Sequence, residues 1–253
     1  MRDKRIQLSS PLQRDNRGVS EVLAFVLVFG IILTSVAILS MTGFQAMDSY
    51  QENEQQRNAD RAMQTLADNF NDVLRYDGLE ERYGELTVRG GTVTVDGDGG
   101  PDLAIDVGNG DEFEHLENSD DSITLGSLTY ESGSETISYE GGAVTRKMDS
   151  GGGLVVSDPQ FRYNEHDNRE NVAVVSLVKI DGDRRSIQTD GSQGLSISVV
   201  NRTTEMFEDD VEITVSGGDE NDVWETYLDE EGWDSGKDAD RTLVTVVEAE
   251  IDY

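Results

Sequence analysis

The chain has 253 residues, with 52 Asp and Glu against 20 Lys and Arg, a formal net charge of −32 and no cysteine. That balance excludes nucleic-acid binding, which needs a basic face to displace counter-ions, and the lack of thiols excludes disulfides, iron–sulfur clusters and thiolate zinc sites. A chain this acidic repels itself unless concentrated salt screens the field, so the composition points to a salt-loaded environment.

In chain order, residues 1–18 come first and form a basic leader, with Arg2, Lys4, Arg5, Arg14 and Arg17 against Asp3 and Asp15. From Val22 to Met47 there is no charged residue at all. The dense apolar part, Val22 to Leu39, is long enough to cross a bilayer, for which about 20 apolar residues suffice, and the span is expected over about 22–43. Cations before it and acids after it put the N-terminus in the cytoplasm and the bulk outside. An ordinary secretory signal is the alternative, although the apolar run is long for one and no A-x-A site follows it. Within the span, Gly30, Thr34 and Ala37 make a stripe of small residues of the kind that lets helices approach closely.

Past the apolar run the helical period continues. Ala59, Ala62, Met63, Leu66, Phe70, Val73 and Leu74 recur at helical spacing, with no stop signal before Asp77-Gly78. Residues 19–76 therefore read as one long helix, half of it apolar all round and half amphipathic. The apolar face of the second half must pack on a sheet or on another subunit.

The junction Arg17-Gly18-Val19-Ser20-Glu21-Val22-Leu23 resembles the class III signal peptide of archaeal type IV pilins and pilin-like proteins. The stretch from Arg17 to Ser40 is similar to the N-terminus of a haloarchaeal pilin, and the resemblance covers about residues 14–76. It implies that a prepilin peptidase cuts between Gly18 and Val19 and that the helix becomes a filament core packed against other pilin-like subunits. Glu21, at the apolar end of the helix, would then pair with the free amine of a neighbouring Val19, since a carboxylate in that position is costly alone. Glu21 would be the third mature residue, whereas many type IV pilins carry the equivalent glutamate fifth. The competing reading keeps the leader, with Arg17 as a stop-transfer charge and Glu21 in the headgroups.

After Tyr76 the period becomes alternating, and short β-branched or aromatic runs recur between Gly, Asp, Asn and Ser turns. Residues 77–253 are expected to form an acidic, all-β domain of ten to twelve strands, a sandwich or other antiparallel architecture, with one short helix at Asp222–Leu228. The turn Asp96-Gly97-Asp98-Gly99-Gly100-Pro101-Asp102 brings three carboxylates, Asp96, Asp98 and Asp102, near one another as weak calcium candidates. It lacks the full EF-hand loop, and a solvated hairpin turn is the plainer reading. The two histidines, His115 and His166, sit in polar stretches without a nucleophile or a second histidine at a defined spacing. Asn201-Arg202-Thr203 is a glycosylation sequon.

The sequence thus predicts an α+β chain, a long N-terminal transmembrane and amphipathic helix followed by an all-β, sandwich-like extracellular domain. No G-x-S-x-G, phosphate loop or H-E-x-x-H occurs. The expectation is a non-enzyme without a cofactor: a pilin-like surface protein, single-pass in the cell membrane with lipid as its first partner, displaying the β domain for adhesion. A permanently anchored ectodomain that binds a ligand without assembling is the alternative.

Overall fold

The structure is a computed structural model that describes residues 17–88, 90–108, 122–166, 169–216 and 222–253; for residues 17–19, 45–46 and 48–53 it describes the backbone alone. Three helices are described: α1 (Arg17–Phe70), α2 (Asp72–Arg75) and α3 (Asp222–Glu231). Fourteen strands are described. They are β1 (Glu81–Val88), β2 (Thr92–Asp96), β3 (Asp102–Val107), β4 (Ile123–Thr124), β5 (Ser127–Ser132), β6 (Glu135–Glu140), β7 (Ala143–Met148) and β8 (Gly153–Ser157), then β9 (Gln160–Asn164), β10 (Val172–Asp181), β11 (Arg185–Gln188), β12 (Gly191–Phe207), β13 (Val211–Ser216) and β14 (Arg241–Asp252). The chain divides into two compact units, Met1–Asn53 and Glu54–Tyr253.

In the first unit, α1 runs through Gly43 without interruption, and Ser20–Phe44 is a stretch of mean hydropathy 2.9, none of it buried. The second unit is mostly β, in three sheets. One has five strands in the order β1-β12-β14-β10-β9, one has six in the order β11-β2-β5-β6-β7-β8, and one has three in the order β13-β3-β4.

The last part of α1 belongs to the second unit, and its sequence explains why. Ala59, Met63, Leu66, Ala67 and Phe70 fall on one stripe at helical spacing, and each is at least 97% buried. Each fully buried side chain of the size of Met63, Leu66 or Phe70 contributes about 1.5–3 kcal/mol. They join Leu86 and Val88 of β1, Val93 and Val95 of β2, and the inward rows of β5, β6 and β12 in a first core. Salt bridges fix the rim: Arg146 Nη1 lies 2.9 Å from Asp60 Oδ2, and Arg82 pairs with Asp72.

The helical pattern does not run to Tyr76 unbroken, as its periodicity suggests. α1 ends at Phe70, and Asn71, 2% exposed, separates it from α2. The reason is tertiary: the Asn71 Nδ2 donates to the Gly142 carbonyl at 2.7 Å, and its Oδ1 accepts from the Tyr139 hydroxyl at 2.9 Å. A polar side chain buried at this depth has to be satisfied, and local helix regularity gives way to it.

A second core lies around Trp224 and Leu228 of α3, Leu103 and Ile105 of β3, and Ile213 of β13. Successive strand residues point to opposite faces, and this explains how the central strands serve both cores. Ala173, Val175 and Leu177 of β10 enter the second core, whereas Val178 and Ile180 enter the first. β14 does the same, with Val244 and Val246 in the second core and Val247, Ala249 and Ile251 in the first. The two strands are parallel neighbours, with Leu177 opposite Val246 and Val178 opposite Val247, so both change sides at the same level. Burial on both faces is the usual setting of parallel strands and accounts for their near-continuous apolar runs. This parallel pair departs from the all-antiparallel arrangement that the sequence suggests.

Candidate functional site

Two regions of the chain have chemistry that its own packing does not use. The first is the apolar stretch of α1. Every large apolar side chain described between Val22 and Phe44 is more than half exposed, and Phe25 and Phe29 stack on one another at 6.1 Å. Both threonine hydroxyls here are turned back onto the helix: Thr34 Oγ1 donates to the Gly30 carbonyl at 2.7 Å and Thr42 Oγ1 to that of Ile38 at 3.0 Å. That self-satisfaction is what an apolar surrounding demands of a polar group. The helix is long and apolar enough to span a membrane or to serve as a signal sequence.

The junction residues Arg17, Gly18 and Val19 form the first turn of α1, and Glu21 is exposed just behind them. Gly30, Thr34 and Ala37 are exposed, and a methyl group built on Gly30 would meet nothing within 4 Å.

The second region is the face of the six-stranded sheet that points away from the first core. The alternation that sends Val93, Leu128, Tyr130, Ile137, Tyr139 and Val144 inward sends a set of hydroxyls outward. Register aligns them: Ser186 lies opposite Thr94, Thr94 opposite Thr129, Thr129 opposite Ser138, and Ser138 opposite Thr145. The result is one row of hydroxyls across five strands, β11, β2, β5, β6 and β7. A flanking row holds Thr92, Glu131, Thr136 and Lys147.

This face forms the floor of a groove of about 420 Å³. The turn at Gly99-Gly100, the β7–β8 turn at Gly151-Gly152 and the start of α3 at Asp222 wall it. Gly100 adopts φ +79°, where glycine carries no penalty, and any β-carbon there would lie 2.8 Å from the Gly126 carbonyl.

Glu140 sits at one end of the floor and is 3% exposed. Its Oε1 accepts from Thr145 Oγ1 at 2.8 Å and from Trp224 Nε1 at 3.0 Å, so the ring that anchors the second core also holds this carboxylate. Behind the floor, burial pushes the Tyr139 hydroxyl far above its ordinary value and keeps it a neutral donor to Asn71.

The other residues singled out in the sequence are dispersed. Asp96 accepts from the Asp98 amide and lies 3.6 Å from Arg184, whereas Asp102 accepts from Thr124 on β4. Among the described residues, no group of three or more His, Asp or Glu is placed to hold a metal. His166 is exposed, its amide donating to Asn171, and His115 lies outside the described residues. Asn201 is exposed at a β-bulge in β12. Sequence reasoning missed the groove, because alternation shows which residues leave the core but not which strands stand side by side.

No curated protein and no solved structure matches the chain. The model of a family of unknown function, DUF7289, matches residues 17–253, and the chain belongs to that family.

Proposed function

We propose that this protein is a type IV pilin-like surface protein of a halophilic archaeon. It is held in the cell membrane by the apolar part of α1 and displays its β-rich unit outside, where it acts by binding rather than catalysis. The observation that carries the reading is the stretch Ser20–Phe44, of mean hydropathy 2.9 and uncovered, starting two residues behind Arg17-Gly18. Lipid supplies the missing cover, and the five cations of residues 1–18 keep the N-terminus inside. A prepilin peptidase cuts after Gly18. Loss of the basic leader frees the helix to leave the bilayer and to pack with other pilin-like subunits along Gly30, Thr34 and Ala37. The net charge of −32 is tolerable where molar salt screens it. Asn201, exposed at its bulge on the outer unit, accepts a glycan.

One feature favours the permanently anchored alternative. Glu21 stands third from Val19 rather than fifth, which weakens the pairing that guides pilin assembly.

Intact-mass analysis of protein from native membranes tests the proposal. The expected product starts at Val19, and Gly18→Ile, too bulky for the cleft before the bond, retains residues 1–18. Wild-type protein that keeps its leader overturns the pilin assignment and leaves the anchored ectodomain. A mass increment lost in Asn201→Gln identifies the glycan.

A further inference from the structure

We infer that the groove on the six-stranded sheet is a saccharide-binding site. This deepens the proposed display of the outer unit by naming the ligand class that it meets. The observation is a pair of hydroxyls, on largely buried residues, that open only onto the groove. Ser127 and Ser138 are 5% and 6% exposed, both line the groove, and neither side chain has a hydrogen-bond partner among the described residues. With no partner inside the fold, each hydroxyl is left to groove water or to a ligand that takes its place. Thr94, by contrast, is equally buried and already bonded to Ser186 at 2.8 Å.

The chemistry of the lining narrows the ligand. A hydroxyl both donates and accepts, so a row of them suits a ligand whose own groups do the same. Strand spacing sets the hydroxyls of Thr94, Thr129 and Ser138 ~4.8 Å apart in a line, which matches a chain of polyol rings better than a compact ion. At the two ends stand groups of fixed polarity: Asp96 and Glu140 accept, whereas Lys147 and Arg184 donate. A polyanion is disfavoured by the carboxylates Asp96, Glu131, Glu140 and Asp222 around the groove. A peptide would need apolar subsites for its side chains, and the lining offers Met148 and Val223 alone. The volume of about 420 Å³ falls within the range of about 300–1,000 Å³ usual for small-ligand sites.

The test uses the full chain in detergent micelles at molar salt, screened on an array of neutral and amino-sugar oligosaccharides, with hits titrated by calorimetry. Binding of at least one class is expected, and Thr129→Val and Ser138→Ala should each weaken it tenfold or more. Tyr83→Ala, on β1 and outside the groove, should leave it unchanged. Ser138→Ala should also keep or raise the thermal midpoint, a signature that separates a binding hydroxyl from a structural one. An array without hits, retention of phosphorylated polymers or peptides instead, or groove variants that bind like wild type overturns the inference. Cell fractionation keeps the two proposals apart: a protein that binds sugar yet is found in cytosol ends the surface reading and leaves the groove standing.

Discussion

One helix contains two stretches that treat apolar side chains in opposite ways. Between Ser20 and Phe44 they point in every direction and all are exposed. Between Ala59 and Phe70 they keep to one stripe, and that stripe is buried. Backbone geometry is the same in both, so the contrast is one of solvent. The second stretch supplies its own apolar surroundings from the sheets, whereas the first has the composition of a segment whose solvent lies outside the chain. Charge follows the same division: Asp60, Asp68 and Arg61 punctuate the second stretch, and nothing ionisable interrupts the first after Glu21.

Substitutions at the two stretches should therefore fail in different assays. The largest effect belongs to Phe70→Ala. Phe70 is fully buried and meets Tyr139 edge-on at 5.8 Å, beside the Asn71 network. Its truncation should cost about 3–5 kcal/mol, a large part of the roughly 5–15 kcal/mol of a typical domain, read by denaturant unfolding in molar salt. Membrane association should not change. Leu33→Arg, near the middle of the apolar stretch, should do the reverse. A cation at a span centre costs about 2.5–3.5 kcal/mol on insertion, so the variant should shift toward the soluble fraction, while the β-rich unit melts as before. Unfolding of that unit by Leu33→Arg would mean that the first stretch packs inside a core, and the contrast would be void.

How far the sequence carried depends on the range of the interaction. The two helical stretches and the short helix near Asp222 were legible because a helix is closed by neighbours three and four residues away; α3 itself extends to Glu231. Alternation within single strands was legible too, as in Val93 and Val95 against Thr92, Thr94 and Asp96. Strand ends were less so: β12 spans Gly191–Phe207 because β1 and β14 pair along its length, although Leu195–Val200 is its one evident apolar run. The parallel β10–β14 pair was invisible, since about sixty residues separate strands whose runs look like any buried segment. The groove escaped for the same reason. Thr94, Thr129, Ser138 and Thr145 are ordinary strand residues until pairing lines them up.

The smallest effect gives the finest contrast, because it compares one methyl group at two glycines. Gly84 lies in the inward row of β1 with Leu86 and Val88, and a β-carbon there would collide with Leu66 Cδ1 and come within 3.5 Å of Phe70 Cε1. The glycine lets the buried helical turn sit directly on the strand. Gly84→Ala should cost about 1–3 kcal/mol, the usual range for overpacking, and the loss should be partial because the far end of a leucine can rotate. Gly30→Ala meets nothing within 4 Å. Isolated subunits should unfold as wild type or gain up to about 1 kcal/mol from the better helix former. Any penalty at Gly30 must therefore come from a second helix pressed against it. If the chain assembles as proposed, filament yield from Gly30→Ala cells, set against the melting of the purified protein, measures that contact directly. Equal yields would show that the stripe of Gly30, Thr34 and Ala37 faces lipid rather than a neighbouring copy.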